Sequence, residues 1–326
     1  MDILLSTDSK YIMPTAVTMK SVCANNSQLT FHILIDDGVK DLQKRQLEGV
    51  LDKSKKQNVK FYSIDSHFMD NFPSLGSVKS YITKATYYRL FIADILPASV
   101  HRVLYIDGDV INVAPLDKLW NVDLADYAIG AVTDMAEDKH DFNRLGYDKN
   151  IGYFNAGVLL INVDFWRKYN LKQKFMELIE HYPERIVLHD QDVLNIILHD
   201  QKYNLPMKYN VQNGFLWKKK YNQFGEKYKD YEADLKDAIS NPVIIHYTDN
   251  KKPWHIEDCN PWGYLWYKYY KQTEWKYISL GHCNKSKIRY WGAKFLRVFH
   301  LLGLPRTDEE YYYSTEVLDS LKNKMI

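Results

Sequence analysis

His101-Arg102-Val103-Leu104-Tyr105-Ile106-Asp107-Gly108-Asp109-Val110 is the stretch on which the reading of this chain turns. Val103 to Ile106 is a short apolar run rich in β-formers, and it stops abruptly at two carboxylates flanking a glycine. Such a run reads as a strand buried in a parallel sheet. In open α/β sheets ligands collect beyond the carboxyl ends of the strands, so Asp107 and Asp109 emerge where chemistry is expected. Two acids there repel unless a divalent cation or a shared proton relieves them. Gly108 allows close approach of a bulky anionic ligand. Taken alone, Asp-Gly-Asp is also an ordinary strand-to-turn exit.

Working outward, the flanks supply a strand-helix-strand-helix-strand order. Ile3 to Leu5 is a strand ending in Ser6-Thr7-Asp8-Ser9, Met13 to Cys23 has helical spacing, and Phe31 to Ile35 is a second strand. A helix over Val39 to Asp52 and a strand over Val59 to Ile64 follow. This order predicts right-handed crossovers in a nucleotide-binding α/β sheet. No G-x-G-x-x-G follows the first strand, which argues against a dehydrogenase. Thr83 to Ile95 reads as a helix carrying Arg89, and a guanidinium near a carboxylate pair suits a diphosphate, although a solvated arginine is the default.

Downstream, Tyr127 to Val132 is a strand, Asp134 to Ile151 a polar, flexible span, and Tyr153 to Asn162 a strongly apolar strand. Asn155 stands just before the small pair Ala156-Gly157, an amide beside closely approached backbone. Phe165 to Tyr182 reads as one amphipathic helix. Asp190 then serves as the N-cap of a further helix, a role that leaves Gln191 and Asp192 unaccounted for. Val243 to Tyr247 is a strand ending at His246, expected on the same sheet edge as Asp107 and Asp109, with Lys252 in the loop beyond. Imidazole with carboxylates suits Mn²⁺, and a nearby lysine suits a phosphate.

Composition bounds the rest. A chain of 326 residues with 46% hydrophobic and 26% charged residues is an ordinary globular protein. A net charge of +2 gives no reason to invoke nucleic acid. Three scattered cysteines, Cys23, Cys259 and Cys283, exclude a disulfide framework and fit a reducing compartment. No run reaches the roughly 18 to 20 apolar residues of a membrane span, and no signal peptide is read at the N-terminus, so a cytoplasmic protein is expected. From Lys276 to Arg306 the chain has six further basic residues and no acid, with Ile288, Trp291, Phe295, Val298, Phe299 and Leu302 at helical spacing. That pattern describes a basic amphipathic helix lying against an anionic membrane, or an apolar face packed on the rest of the protein.

Four motifs in this order resemble glycosyltransferase family 8, and most closely its bacterial lipooligosaccharide and lipopolysaccharide hexosyltransferases. They are Leu104 to Val110, Phe154 to Leu159, Asp190 to Asn195, and His246 through Lys252-Pro253-Trp254. At the last, Asp249 stands where the family pattern has glycine. The resemblance implies a GT-A fold over residues 1–270, a Rossmann-like mixed sheet flanked by helices, with residues 271–326 as the basic tail. It further implies Asp107, Asp109 and His246 as ligands of Mn²⁺, with Mg²⁺ as the alternative. Ser6, Asp8 and Tyr11 would hold uridine, Gly108 would face the donor, and Arg89 and Lys252 would neutralise the diphosphate of a UDP-sugar. Asn155, Asp190 and Gln191 would line the sugar pocket. The implied reaction is retaining transfer of glucose or galactose to a saccharide or lipid-linked acceptor, by a front-face route because the Gln191 amide is a poor nucleophile. Two other expectations compete: a catalytically impaired UDP-sugar-binding homologue, favoured by Asp249, and a nucleotidyltransferase, disfavoured by the glycine-free, acidic loop after the first strand.

Overall fold

A computed structural model describes residues 1–64, 84–216, 228–248, 250–255, 258 and 260–277. Asp249 and the tail after Tyr277 lie outside these residues. The main sheet has seven strands in the order β3-β2-β1-β4-β7-β6-β8. These are β1 (Asp2–Thr7), β2 (Thr30–Ile35), β3 (Asn58–Ser63), β4 (Arg102–Ile106), β6 (Ile129–Thr133), β7 (Phe154–Asn162) and β8 (Lys202–Asn204). β1 pairs in parallel with β2 and β4, and β2 with β3. β7 runs antiparallel to both β4 and β6. The expected mixed α/β sheet is therefore present.

Alternation along β1 shows how the sheet is covered. Ile3 and Leu5 enter one core with Val17, Val22 and Trp266. Leu4 faces the other, with Tyr105, Trp166 and Phe175. The first core lies beneath α1 (Ile12–Asn25) and α2 (Asp41–Glu48), the second beneath α3 (Val163–Lys168), α4 (Leu171–His181) and α5 (His189–Leu198). Both faces of the central strands are buried, which is why β4 and β7 read as continuous apolar runs.

Several expected elements differ. The helix read over Phe165 to Tyr182 is two, α3 and α4, because Asn170 between them takes φ 47, in the left-handed region. Lys84–Phe91 is a 3₁₀ segment that becomes α-helical only at Ile92–Ile95. The span from Asp134 to Ile151 contains short turns of helix at Glu137–Lys139, Phe142–Leu145 and Lys149–Ile151. His246 does not share the edge of the main sheet. It ends β10 (Ile244–His246) in a second sheet, where β5 (Val110–Asn112) pairs antiparallel and β9 (Val211–Gln212) in parallel. The longer helices of the C-terminal part are α6 (Tyr228–Ser240) and α7 (Gly263–Tyr270). Asn25 at the end of α1 donates to the Tyr269 hydroxyl of α7 at 3.0 Å.

Candidate active site

Topology gathers one set of chain ends on one rim. β1, β4 and β6 run the same way, so Thr7, Ile106 and Thr133 finish together there. β7 runs against them, so its first residues, Phe154 and Asn155, begin there. A cavity of about 700 Å³ opens on this rim, within the usual range for a small-molecule site. Every residue singled out for the site lines it: Ser6, Asp8, Tyr11, Arg89, Asp107, Gly108, Asp109, Asn155, Asp190, Gln191, His246 and Lys252.

Asp107, Asp109 and His246 bring one ligand atom each within 4.8 Å of one another. The residues fit a divalent cation on three counts. Asp109 Oδ1 is buried and accepts no hydrogen bond. His246 Nε2 lies 3.3 Å from it, outside hydrogen-bond geometry, and 4.0 Å from Asp107 Oδ2. The floor beneath is Gly157, where a Cβ would come within 2.1 Å of His246 Cε1. Oxygen and imidazole donors together suit Mn²⁺ or a similar ion.

Charges around this trio are tightly paired. Lys252, 4% exposed, places Nζ 2.6 Å from Asp109 Oδ2 and 2.6 Å from the Tyr247 carbonyl. Burial alone would raise the Asp109 carboxyl, but the Lys252 ammonium beside it, foremost among its neighbours, holds it well below the usual carboxylate range. Arg89 is 4% exposed and turned wholly inward. Its NH2 meets Asp107 Oδ1 at 2.8 Å, its NH1 the Ala156 carbonyl at 2.5 Å, and its Nε lies 3.0 Å from Asp190 Oδ2. Its guanidinium carbon sits 3.9 Å above the Tyr105 ring, whose hydroxyl also donates to Asp107. Burial opposes the charge on Arg89, but the Asp107 and Asp190 carboxylates overcome it. Arg89 thus ties the acidic strand end to the helix that carries Asp190.

Asp190 is not the N-cap of α5. It lies inside the first turn, where Thr86 donates to it through a short hydrogen bond, and burial pushes its carboxyl up to about 6. Asp192 instead ties the entering chain to the helix, accepting from the Val187 and Leu188 amides at 2.7 Å each, from Arg144 at 2.8 Å and from Tyr153 at 2.8 Å. Asn195 exchanges two 2.9 Å hydrogen bonds with the backbone of Phe154, docking α5 onto β7. The motif therefore divides: Asp190 and Gln191 face the cavity, while Asp192 and Asn195 hold the helix. Gln191 Oε1 accepts from the Ala156 amide at 2.9 Å, and its amide donates to Asp134 Oδ2 at 3.3 Å.

At the β1 end of the cavity, Asp8 Oδ1 accepts from the Lys10 and Tyr11 amides at 2.8 and 3.0 Å, fixing the turn into α1. Ser6 Oγ is buried without a hydrogen-bond partner. Space above Gly108 belongs to the protein: a Cβ there would meet Tyr11 Cε1 at 2.9 Å. Tyr11 stands edge-on to Trp254, with centroids 5.5 Å apart.

Sequence reasoning missed Asp134, His140 and Asn210. Asp134 follows β6 as Asp107 follows β4, so the same strand-end signal was present. It accepts from His140 at 3.4 Å and from Asn155 at 3.1 Å, and these bonds outweigh burial to keep its carboxyl below the usual range.

Residues 2–258 match the family model described as Glycosyl transferase family 8. The chain is 32% identical over 249 residues to General stress protein A of Bacillus subtilis, covering 76% of this chain and 84% of that one. It is 29% identical to lipopolysaccharide 1,3-galactosyltransferase of Salmonella typhimurium, over 87% of this chain and 82% of the relative. It spans less than two thirds of the length of several Streptococcus pneumoniae glycosyltransferases that it also matches. Its fold superposes on the galactosyltransferase LgtC, solved in complex with donor and acceptor sugar analogs, with a TM-score of 0.71 and 24% identity over 90% of this chain and all of that one.

Proposed function

The chain belongs to glycosyltransferase family 8, and from that premise we propose that it transfers a hexose, glucose or galactose, from a UDP-sugar to a saccharide acceptor with retention of anomeric configuration. The observation that carries the reading is the Asp107–Asp109–His246 trio on the cavity floor, with Asp109 Oδ1 buried and accepting no hydrogen bond. A bound Mn²⁺, or Mg²⁺ in its place, supplies Lewis-acid neutralisation of the departing diphosphate. The protein's own part is to aim charge and exclude water. Lys252 is the ammonium nearest that departing charge, and Arg89 keeps Asp107 and Asp190 in place from below. Tyr11 offers a face for uracil, while Ser6 Oγ and the second oxygen of Asp8 face the nucleoside.

Asn155, Asp190 and Gln191 form the sugar wall. The Gln191 amide is engaged by Ala156 and Asp134. Asp190 is held against Arg89 and Thr86. These contacts favour binding roles for both side chains and so support a front-face route in which the leaving phosphate takes the acceptor proton. The acceptor we propose is lipopolysaccharide, lipooligosaccharide or another cell-surface glycan, a reading drawn from relatives such as the Salmonella enzyme. Among the described residues no helix is long and apolar enough to cross a membrane. The basic tail is proposed to rest on the anionic inner face of the cell membrane, which would keep a cytoplasmic catalytic unit beside a lipid-linked acceptor.

Release of UDP from UDP-glucose and UDP-galactose, with Mn²⁺ and with chelator, tests the reading without knowledge of the acceptor. Metal-dependent release from one donor is expected. Release that is indifferent to chelator, or absent with both donors in a protein that binds neither, refutes it.

A further inference from the structure

We infer that Asn210 is a positioning residue that fixes which ring nitrogen of His246 faces Asp107 and Asp109, and so makes Nε2 the ligand atom; the inference rests on reading that trio as a cation site. One chain of hydrogen bonds links β7 to His246 through Asn155 and Asn210. It begins at the Gly157 backbone amide, which donates to the Asn155 side chain at 3.0 Å. A backbone N–H can only donate, so the Asn155 atom it meets is the oxygen. Asn210 reaches that same oxygen at 2.9 Å and must do so with its NH₂ group. Its carbonyl oxygen is thereby turned to His246 Nδ1, 3.0 Å away. An acceptor there requires the proton on Nδ1, which leaves the lone pair of the neutral ring on Nε2.

The other end of the chain agrees independently. Asn155 directs its NH₂ group at Asp134 Oδ2, 3.1 Å away, and an ionised carboxylate can only accept. Both ends thus demand the same orientation of Asn155, and with it the same orientation of Asn210. The lone pair of His246 Nε2 then faces Asp109 Oδ1 at 3.3 Å and Asp107 Oδ2 at 4.0 Å. Three electron-rich atoms turned on one point repel unless a cation lies among them. A metal-bound imidazole ordinarily gives its second N–H to an oxygen acceptor, which sets ring orientation and tautomer. Asn210 is that acceptor here. It is fully buried and absent from the cavity wall, so it acts through His246 and not on a substrate. The sheet register places it: Asn210 immediately precedes β9, whose Val211 and Gln212 lie beside Ile245 and His246.

Mn²⁺ titrations of the full chain, read by the paramagnetic resonance signal of the free ion, test this without turnover. Asn210→Leu should weaken Mn²⁺ binding by about 10- to 100-fold, the loss seen when the partner of a metal-bound imidazole is removed. His246→Ala and Asp109→Asn set the floor. A folded Asn210→Leu with undiminished affinity, beside two weakened floor variants, overturns the role of Asn210 and leaves the cation site standing. Undiminished affinity in all three overturns the cation site and this inference with it. Should Asn210→Leu not fold, long-range ¹H–¹⁵N spectra of the unaltered, metal-free protein, recorded where the spectra themselves show the His246 ring neutral, decide instead. An Nδ1–H tautomer at His246 supports the inference, and an Nε2–H tautomer overturns it.

Discussion

Gly157→Ala is the smallest change that should dismantle the site. The new methyl carbon would sit 2.1 Å from His246 Cε1, 2.8 Å from Nδ1 and 2.9 Å from Asp107 Oδ2. Carbon contacts are comfortable at about 3.5–4 Å, so the imidazole must retreat by roughly 1.5 Å. His246 is 4% exposed and tied to Asn210, so the retreat breaks that hydrogen bond or bends β7. Overpacking of this kind costs about 1–3 kcal/mol, a fall in Tm of a few degrees for a chain of this size. Metal ligands tolerate displacements of only about 0.2 Å, so the functional loss should far exceed the loss of stability. Mn²⁺ affinity and metal-dependent UDP release would be measured beside a thermal melt. Gly130→Ala, in the neighbouring strand, is the control: its Cβ would meet only the side chains of Leu124 and Leu205 at 3.2–3.3 Å. It should lower Tm slightly and leave Mn²⁺ binding intact. Native Mn²⁺ affinity and an unchanged melt in Gly157→Ala would mean that a methyl group fits beside His246 and that the glycine floor is not needed.

Tyr11→Ala should weaken UDP binding by about 1–3 kcal/mol, the usual worth of a base stacked on an aromatic ring; unchanged affinity by calorimetry would confine Tyr11 to its packing against Gly108 and Trp254. Asp190 carries a pH signature. Burial lifts its carboxyl from 3.8 to about 6, so the native state keeps a proton that the unfolded chain gives up between those values. Its stabilising contribution is complete below about pH 4 and lost as pH rises through 6, on the order of 2–3 kcal/mol in all. Urea midpoints of the native protein and Asp190→Asn should therefore converge or cross between pH 4 and 7, and parallel curves would rule out the shift. Asp192→Asn should destabilise by about 3–5 kcal/mol, because Arg144 and two backbone amides lose a buried anion. A urea midpoint within error of native would show that those bonds are dispensable.

The Asp107–Asp109–His246 trio was legible in the sequence because its signal is local: apolar strands that end abruptly in Asp-Gly-Asp and in His. Gln191 and Asp190 were legible as a pair, but which acid faces the cavity and which anchors the helix was not. That choice depends on Arg144, which arrives from the span read as flexible, and on Tyr153, just before the strand that follows it. Arg89 was visible as a charge, yet nothing in the order of residues says that a guanidinium will be sealed beneath the strand end instead of facing solvent. The break at Asn170 could have been found, since asparagine is one of the few residues that readily takes left-handed φ. Asn210 could not. It precedes a two-residue strand with no periodicity, and its importance exists only once β9 lies against β10.

Asp107 follows the end of the large sheet's β4 and Asp109 precedes the small sheet's β5, with Gly108 between the two acids. The two sheets are therefore joined here by a link of three residues, 107–109, and the Tyr11 ring leans on its middle residue. A base stacked on Tyr11 and a cation held by Asp107, Asp109 and His246 would press on the same joint from opposite sides. Filling the cavity should then stiffen the connection between the sheets as well as the cavity itself. In amide exchange, Ile244 to His246 and Val103 to Ile106 would open separately in the empty protein and as a single cooperative unit in the liganded one.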